Sequence, residues 1–272
     1  MVAAGNDFIL IDKVFNPEFI PSNKLIQQFC DRRFGIGADG VLIFDKSKIY
    51  DFSMDYFNAD GTTGALCGNG ARCVLKYAAI NKKVKTDNIL FEFHGEKYSG
   101  LILNDGLVTF NLNKPKEIKL DMRMVIDGKD FVVNYVDVGT PHVVIVVNEI
   151  KDLFDFDLNI ENIPVEILGK KIRYAKQYFI NGTNVNFIDI NQKYITIRTY
   201  ERGVESETLA CGTGSVSAAI IANLKYNVKL PVDLLTRSGE ILTVDFLYEN
   251  KKVKNMSLTG GVKIVYTGEI LI

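Results

Sequence analysis

The sequence has no tryptophan, only two histidines (His94 and His142), six prolines and four cysteines, and its 32 basic and 33 acidic side chains leave a formal net charge of -1. Each shortage removes a class of explanation. Two histidines without ligand spacing argue against a histidine-built metal centre. Balanced charge offers no uniform basic field for nucleic acid or an anionic membrane. Four cysteines (Cys30, Cys67, Cys73 and Cys211) in 272 residues do not make a disulfide framework. Each is therefore a small buried hydrophobe or a reactive thiol. The longest apolar runs, such as Val143–Val147, fall far below the ~20 residues that span a bilayer. The N-terminal Met1-Val-Ala-Ala-Gly5 lacks the basic and apolar regions of a signal peptide. The expectation is a cytoplasmic protein. What remains is ordinary globular composition, 47% hydrophobic and 24% charged, at a length that suits one large or two small domains.

Most of the chain reads as short strands. Phe8–Asp12, Val41–Phe44, Leu90–Phe93, Leu107–Leu112, Val143–Val147, Asn184–Ile190, Tyr194–Tyr200 and Val262–Tyr266 are the candidates, with turn signals at Asn104-Asp105-Gly106 and Asp127-Gly128. A helix is expected from Asn23 to Arg33, with Leu25, Ile26, Phe29 and Cys30 on one face and Gly35 just beyond. The charged, proline-containing stretch Asn113–Leu120 is the best domain boundary on offer.

An internal repeat is the most informative feature. Asp51–Tyr56 alternates, with Phe52, Met54 and Tyr56 on one face, and leads through Asn58-Ala-Asp-Gly61 to Cys67-Gly68-Asn69-Gly70. A helical pattern follows, carrying Ala71, Val74, Leu75 and Ala78. Further on, Ile195 and Ile197 alternate with Thr196 and Arg198. Then Glu201-Arg202-Gly203 leads to Cys211-Gly212-Thr213-Gly214 and a helix with Val216, Ala219, Ile220 and Leu224. Strand, loop, Cys-Gly-x-Gly, helix thus occurs twice.

A cysteine at a helix N-terminus sits in the positive end of the backbone dipole, which favours the nucleophilic, basic thiolate. The glycines allow close backbone approach, and the first-turn N–H groups make an anion site suited to a carboxylate. Two such sites facing each other would place a stereocentre between a thiolate base and a thiol acid. That is the requirement for two-base racemisation or epimerisation. Other readings are weaker. Cys73, inside its helix, and Cys30, on an apolar helix face, read as structural. No C-x-x-C pair supports a redox dithiol. Gly68-Asn-Gly70-Ala-Arg-Cys73 and Gly212-Thr-Gly214-Ser-Val-Ser217 lack the third glycine or alanine of a dinucleotide fingerprint, and no phosphate-binding P-loop is present. On sequence alone both His94 and His142 read as structural.

The chain resembles the diaminopimelate epimerase family of pyridoxal-phosphate-independent, two-cysteine amino-acid racemases. The resemblance rests on Gly5-Asn-Asp-Phe8, Asp31-Arg-Arg-Phe-Gly-Ile-Gly-Ala-Asp-Gly40, Phe57-Asn-Ala-Asp-Gly61 and Cys67-Gly-Asn-Gly-Ala-Arg-Cys73. It continues through Gly139-Thr-Pro-His142, Gly182-Thr-Asn-Val-Asn-Phe187, Tyr200-Glu-Arg-Gly203 and Glu207-Thr-Leu-Ala-Cys-Gly-Thr-Gly214. It implies an α+β fold of two pseudo-symmetric domains, each a curved, mostly antiparallel sheet around a central helix, with the active site in the interdomain cleft. The domains would be residues 1–113 plus 258–272, and 114–257. The implied reaction interconverts L,L- and meso-diaminopimelate, on the route to lysine and peptidoglycan, with no metal or cofactor.

By this likeness Cys67 and Cys211 are the acid–base pair, and His142 and Glu201 tune the thiols, which overturns the structural reading of His142. Asn6 and Asn58 would contact substrate, and the main chain of Gly68, Asn69, Gly212 and Thr213 would hold the reacting carboxylate. Thr140, Asn184 and Arg202 would face the distal end, where a guanidinium suits a second carboxylate. Gly40 stands where many members carry Gln, Thr140 where many carry Asn, and the first strand is shortened to Val2–Ala4. The implied partner is a small amino acid, with neither nucleic acid nor membrane, and a homodimer is the family expectation. The alternatives are a two-thiol racemase of proline, hydroxyproline or histidine, and a catalytically silent amino-acid-binding protein.

Overall fold

The computed structural model describes residues 1–84 and 88–270. The chain forms two compact units, one of Met1–Asn111 with the C-terminal segment from Thr259, the other of Leu112–Leu258. Of the segment Leu258–Ile272 that the resemblance assigns to the first domain, residues 271 and 272 lie outside the described residues.

In the first unit the strands are β1 (Val2–Ala3), β2 (Asn6–Asp12), β3 (Gly40–Asp45), β4 (Phe52–Asn58), β5 (Asn88–Phe93), β6 (Glu96–Ile102) and β7 (Val108–Leu112), side by side in that order. The pairs β2–β3 and β4–β5 are parallel. The pairs β1–β2, β3–β4, β5–β6 and β6–β7 are antiparallel. Each parallel step needs a crossover. Helix α1 (Asn23–Cys30) makes the first and α2 (Gly68–Ile80) the second.

The second unit carries β8 (Glu117–Ile126), β9 (Lys129–Asp137), β10 (Pro141–Val146), β11 (Asn184–Ile190), β12 (Ile195–Glu201), β13 (Ser206–Thr208), β14 (Val232–Leu235), β15 (Ile241–Glu249) and β16 (Lys252–Gly260). Here β10–β11 and β12–β14 are parallel, while β11–β12 and β14–β15 are antiparallel. Helix α3 (Val165–Arg173) crosses between β10 and β11, and α4 (Gly212–Tyr226) between β12 and β14. The succession of parallel and antiparallel pairs matches β2 through β6. The cysteine repeat read from the sequence is therefore a repeat of topology, with α2 and α4 as the same crossover in two α+β units. No helix among the described residues is long and apolar enough to cross a membrane.

Burial explains the helices. Helix α4 is apolar nearly all round and buries Val216, Ala218, Ala219, Ile220, Ile221 and Ala222, as a central helix must. It ends at Asn227, whose N–H bonds the Asn223 carbonyl and whose left-handed φ of 56° lets the following Val228 N–H reach the Ala222 carbonyl. In the first unit Phe52 of β4 and Phe91 of β5 are register partners whose rings stack 5.1 Å apart at 6°.

Two expectations need correction. Helix α1 stops at Cys30 rather than Arg33, because the Asp31 carboxylate accepts from the Arg33 and Phe34 N–H groups and turns the chain. Val262–Tyr266 is not a strand. It makes one bridge, Lys263 with Val2, and leaves Val265 and Tyr266 exposed; the strand of this region is β16. The two units divide between Asn111 and Leu112, next to the stretch Asn113–Leu120, within which the chain enters β8 at Glu117.

Candidate active site

Helix α2 begins at Cys67, which has the extended backbone of an N-cap (φ -95°, ψ 119°) but makes no side-chain cap hydrogen bond. The first-turn N–H groups of such a helix lack intrahelical acceptors. Asn69, one residue into the helix, donates to Asn6 Oδ1 at 2.7 Å, and its own Oδ1 accepts from buried Arg72 at 2.9 Å. Asn6 in turn donates to Asp39 Oδ2 at 2.9 Å. Arg32 bridges Asp39 and Asp7. Burial pushes the Asp7 carboxyl up, but the Arg32 hydrogen bonds and charge outweigh it and hold the group below its usual value. The Asn6 and Asn69 side chains are thus one bonded pair. Asn58, at the end of β4, donates to Thr62 Oγ1 at 3.0 Å, within a loop fixed by Asp60. At Gly40 a Cβ would lie 2.6 Å from the Tyr56 ring and 2.5 Å from the Phe57 carbonyl, so Tyr56 fills the volume a side chain would take.

Helix α4 begins at Cys211 in the same way, with φ -121°, ψ 113° and no side-chain cap. Cys211 is buried, at 8% exposure. Its Sγ lies 3.5 Å from Thr213 Oγ1, which lies 2.9 Å from His142 Nε2. Thr140 Oγ1 donates to Thr213 Oγ1 at 3.2 Å and lies 3.0 Å from the same His142 nitrogen. His142 is fully buried, and burial together with the Arg202 charge pushes its pKa down to about 3, so the ring is neutral at physiological pH.

At the neighbouring strand ends, Asn184 donates to the Pro141 carbonyl at 2.9 Å and accepts from the Arg202 N–H at 2.8 Å. The Arg202 guanidinium reaches the Asn181 carbonyl at 3.3 Å. Glu201 accepts from Thr208 Oγ1 at 3.0 Å. The structure therefore groups Thr140, His142, Thr213 and Cys211 in one cluster, and Asn184 with Arg202 in another.

The remaining cysteines are unlike these two. Burial pushes Cys73 up to about 12, and burial followed by the Asp7 and Asp39 charges pushes Cys30 up to about 11. Both are buried thiols of the first unit. Among the described residues, no group of three or more His, Cys, Asp and Glu side chains is placed to hold a metal ion. Sequence reasoning passed over Asp39, which anchors Asn6, and Asn186, which reaches His142. The signal for Asn186 was present as a polar residue between Val185 and Phe187 in a strand with no other reason to bury an amide.

Comparison with known proteins follows from this geometry. The family model described as diaminopimelate epimerase matches residues 1–118 and 134–265. A diaminopimelate epimerase of Aquifex aeolicus is 34% identical over 282 residues, spanning 98% of this chain and 95% of its own. One of Chlorobaculum tepidum is 36% identical over 276 residues, spanning 99% of each. In fold the chain is similar to the crystal structure of a Bacillus anthracis phenazine biosynthesis protein of the PhzF family, with a TM-score of 0.70 and 14% identity, covering 100% of this chain and 95% of that one.

Proposed function

The chain belongs to the diaminopimelate epimerase family, and from that premise we propose that it interconverts L,L- and meso-diaminopimelate by proton transfer between Cys67 and Cys211. The observation that carries the reading is that each unit places one cysteine at the uncapped start of its central Gly-x-Gly helix, at the same point of a repeated topology. Inversion needs a base on one face of the α-carbon and an acid on the other. One cysteine acts as thiolate and takes the α-proton, becoming a thiol. The electron pair stays on the substrate as a carbanion delocalised into its carboxylate. The other cysteine, a thiol, returns a proton to the opposite face and is left as thiolate. The two roles exchange with reaction direction, and no electrons leave the system.

The main chain at Gly68, Asn69, Gly212 and Thr213 supplies first-turn N–H groups for the carboxylate that gains charge. Asn6 and Asn58 contact the substrate, and Thr140, Asn184 and Arg202 serve its distal amino-acid end. His142 and Glu201 tune the thiols. A homodimer in the cytoplasm, acting in lysine and peptidoglycan precursor synthesis without pyridoxal phosphate, belongs to the same proposal. Its test is chiral chromatography after incubation with L,L-diaminopimelate, beside proline, hydroxyproline and histidine. Formation of meso-diaminopimelate is the expected result. Turnover of one of the other amino acids, with none of diaminopimelate, would overturn the substrate assignment.

A further inference from the structure

Asn186 is fully buried beneath the first turn of α4, and its surroundings fix which way its amide points. The side-chain nitrogen lies 2.9 Å from the Val143 carbonyl, which can only accept, so that atom must be the donor. The side-chain oxygen accepts from the Thr199 hydroxyl at 3.0 Å, which fixes the other end. The same nitrogen lies 3.2 Å from His142 Nδ1. Facing a donor, Nδ1 must present its lone pair. In a neutral imidazole the proton then sits on Nε2.

That placement settles the polarity of everything beyond. Nε2–H donates toward the Thr213 and Thr140 oxygens, 2.9 and 3.0 Å away. Thr140 donates its own proton to Thr213. With both incoming bonds accepted, the Thr213 hydroxyl has one direction left for its proton, the Cys211 sulfur at 3.5 Å. Were the proton on Nδ1 instead, Nε2 would demand a proton from one of the two hydroxyls and the chain would run the other way.

We propose that Asn186 is a positioning residue for the epimerisation: its amide holds His142 as the Nε2–H tautomer and so aims the Thr213 hydroxyl proton at the Cys211 sulfur. A donor aimed at sulfur stabilises thiolate over thiol. His142 then acts as a fixed hydrogen-bond donor rather than as the base that deprotonates a cysteine. This deepens the epimerase reading and rests on it for its role in turnover, but the proton arrangement itself can be read without substrate.

The experiment is nitrogen NMR on protein labelled with 15N-histidine at neutral pH. Because the chain has two histidines, a His94→Asn variant leaves His142 alone; asparagine tolerates the left-handed φ of 50° at that exposed position. The expected spectrum has a protonated Nε2 and a bare Nδ1. In Asn186→Asp the carboxylate can only accept, the proton moves to Nδ1, and alkylation of Cys211 by iodoacetamide at neutral pH slows about tenfold, the value of one lost hydrogen bond to a charged group. Thr213→Val slows the same alkylation about as much, and Thr213→Ser restores it, which tests the relay even if the aspartate variant does not fold. A protonated Nδ1 in the wild-type background, or Cys211 alkylation unmoved by Thr213→Val, would overturn the proposal. Neither readout uses an amino-acid substrate, so a failed epimerase assay and a failed tautomer are separate results.

Discussion

Replacing Gly214 by alanine separates what a helix wants from what this site requires. In an ordinary helix interior the change stabilises by about 0.5–1 kcal/mol, because alanine loses less conformational freedom on folding. Gly214 is in the first turn of α4, and an added Cβ would lie 2.4 Å from Asn186 Oδ1 and 3.2 Å from Cys211 Cβ. The amide cannot yield cheaply, since it is tied to Val143, His142 and Thr199. Overpacking costs about 1–3 kcal/mol, and a buried polar group left unsatisfied about as much again. After the helix gain, Gly214→Ala should cost about 2–4 kcal/mol.

Gly70 occupies the same place in α2 and provides the control. There the Cβ would meet Leu42 Cδ2 at 2.9 Å, the end of a side chain that can turn. Gly70→Ala should therefore come out near zero, with helix gain and mild overpacking offsetting each other. Thermal unfolding of the two variants reads the difference, and at 2–4 °C per kcal/mol for a unit of this size the melting temperatures should differ by about 4–16 °C. Gly214→Ala should also lower activity by displacing Asn186. Equal melting temperatures, or a Gly214→Ala variant more stable than wild type, would refute the reasoning.

Other consequences concern charge and reactivity. With Cys73 near 12 and Cys30 near 11, iodoacetamide at neutral pH should label the Cys67 and Cys211 peptides first; first labelling at Cys30 or Cys73 would contradict the assignment of those two as core thiols. Arg202→Ala should reduce kcat/KM for diaminopimelate by roughly two orders of magnitude through loss of a charge-assisted contact to the distal carboxylate, and unchanged kinetics would place Arg202 outside the pocket. The folded Asp7 pKa lies below 3.8, so its pairing with Arg32 stabilises fully above that value and fades as pH falls through the lower folded value. Arg32→Gln should accordingly lower the urea midpoint near neutrality and converge with wild type in acid; a gap that persists at low pH would show that the pair is not its source.

Much of this was legible in the sequence because it depends on local grammar. Clean alternation marked β4 and β12, and the two Cys-Gly-x-Gly turns marked the starts of α2 and α4. The long hairpin β8–β9 escaped although its Asp127-Gly128 turn was read and β8 alternates Ile118, Leu120, Met122, Met124 and Ile126 with Glu117, Lys119, Asp121 and Arg123, because its first residues lie in the charged stretch Asn113–Leu120, which reads as a domain boundary. Helix α3 escaped because a glycine interrupts its face. Gly169 is required there, since a Cβ would lie 2.5 Å from Tyr200 of β12, a contact that only the tertiary fold creates. Val262–Tyr266 misled in the opposite sense: its apolar side chains look strand-like, yet Val265 and Tyr266 remain exposed. His142 looked structural for a sound reason, being fully buried. Its chemistry comes from Asn186 and Thr213, which lie 44 and 71 residues away in sequence.

The central claim, one thiol removing the α-proton and another returning it, is tested most directly by starting the reaction in D2O from pure L,L-diaminopimelate and sampling the first turnovers by mass spectrometry after chiral separation. The abstracting cysteine holds the substrate's protium while the opposite thiol has already exchanged with solvent. The account predicts that the meso product carries one solvent deuterium from the outset while recovered L,L substrate stays mostly unlabelled, and that Cys67→Ala and Cys211→Ala each abolish inversion. Comparable retention of the original proton in both isomers, or either alanine variant epimerising at near the wild-type rate, would contradict it.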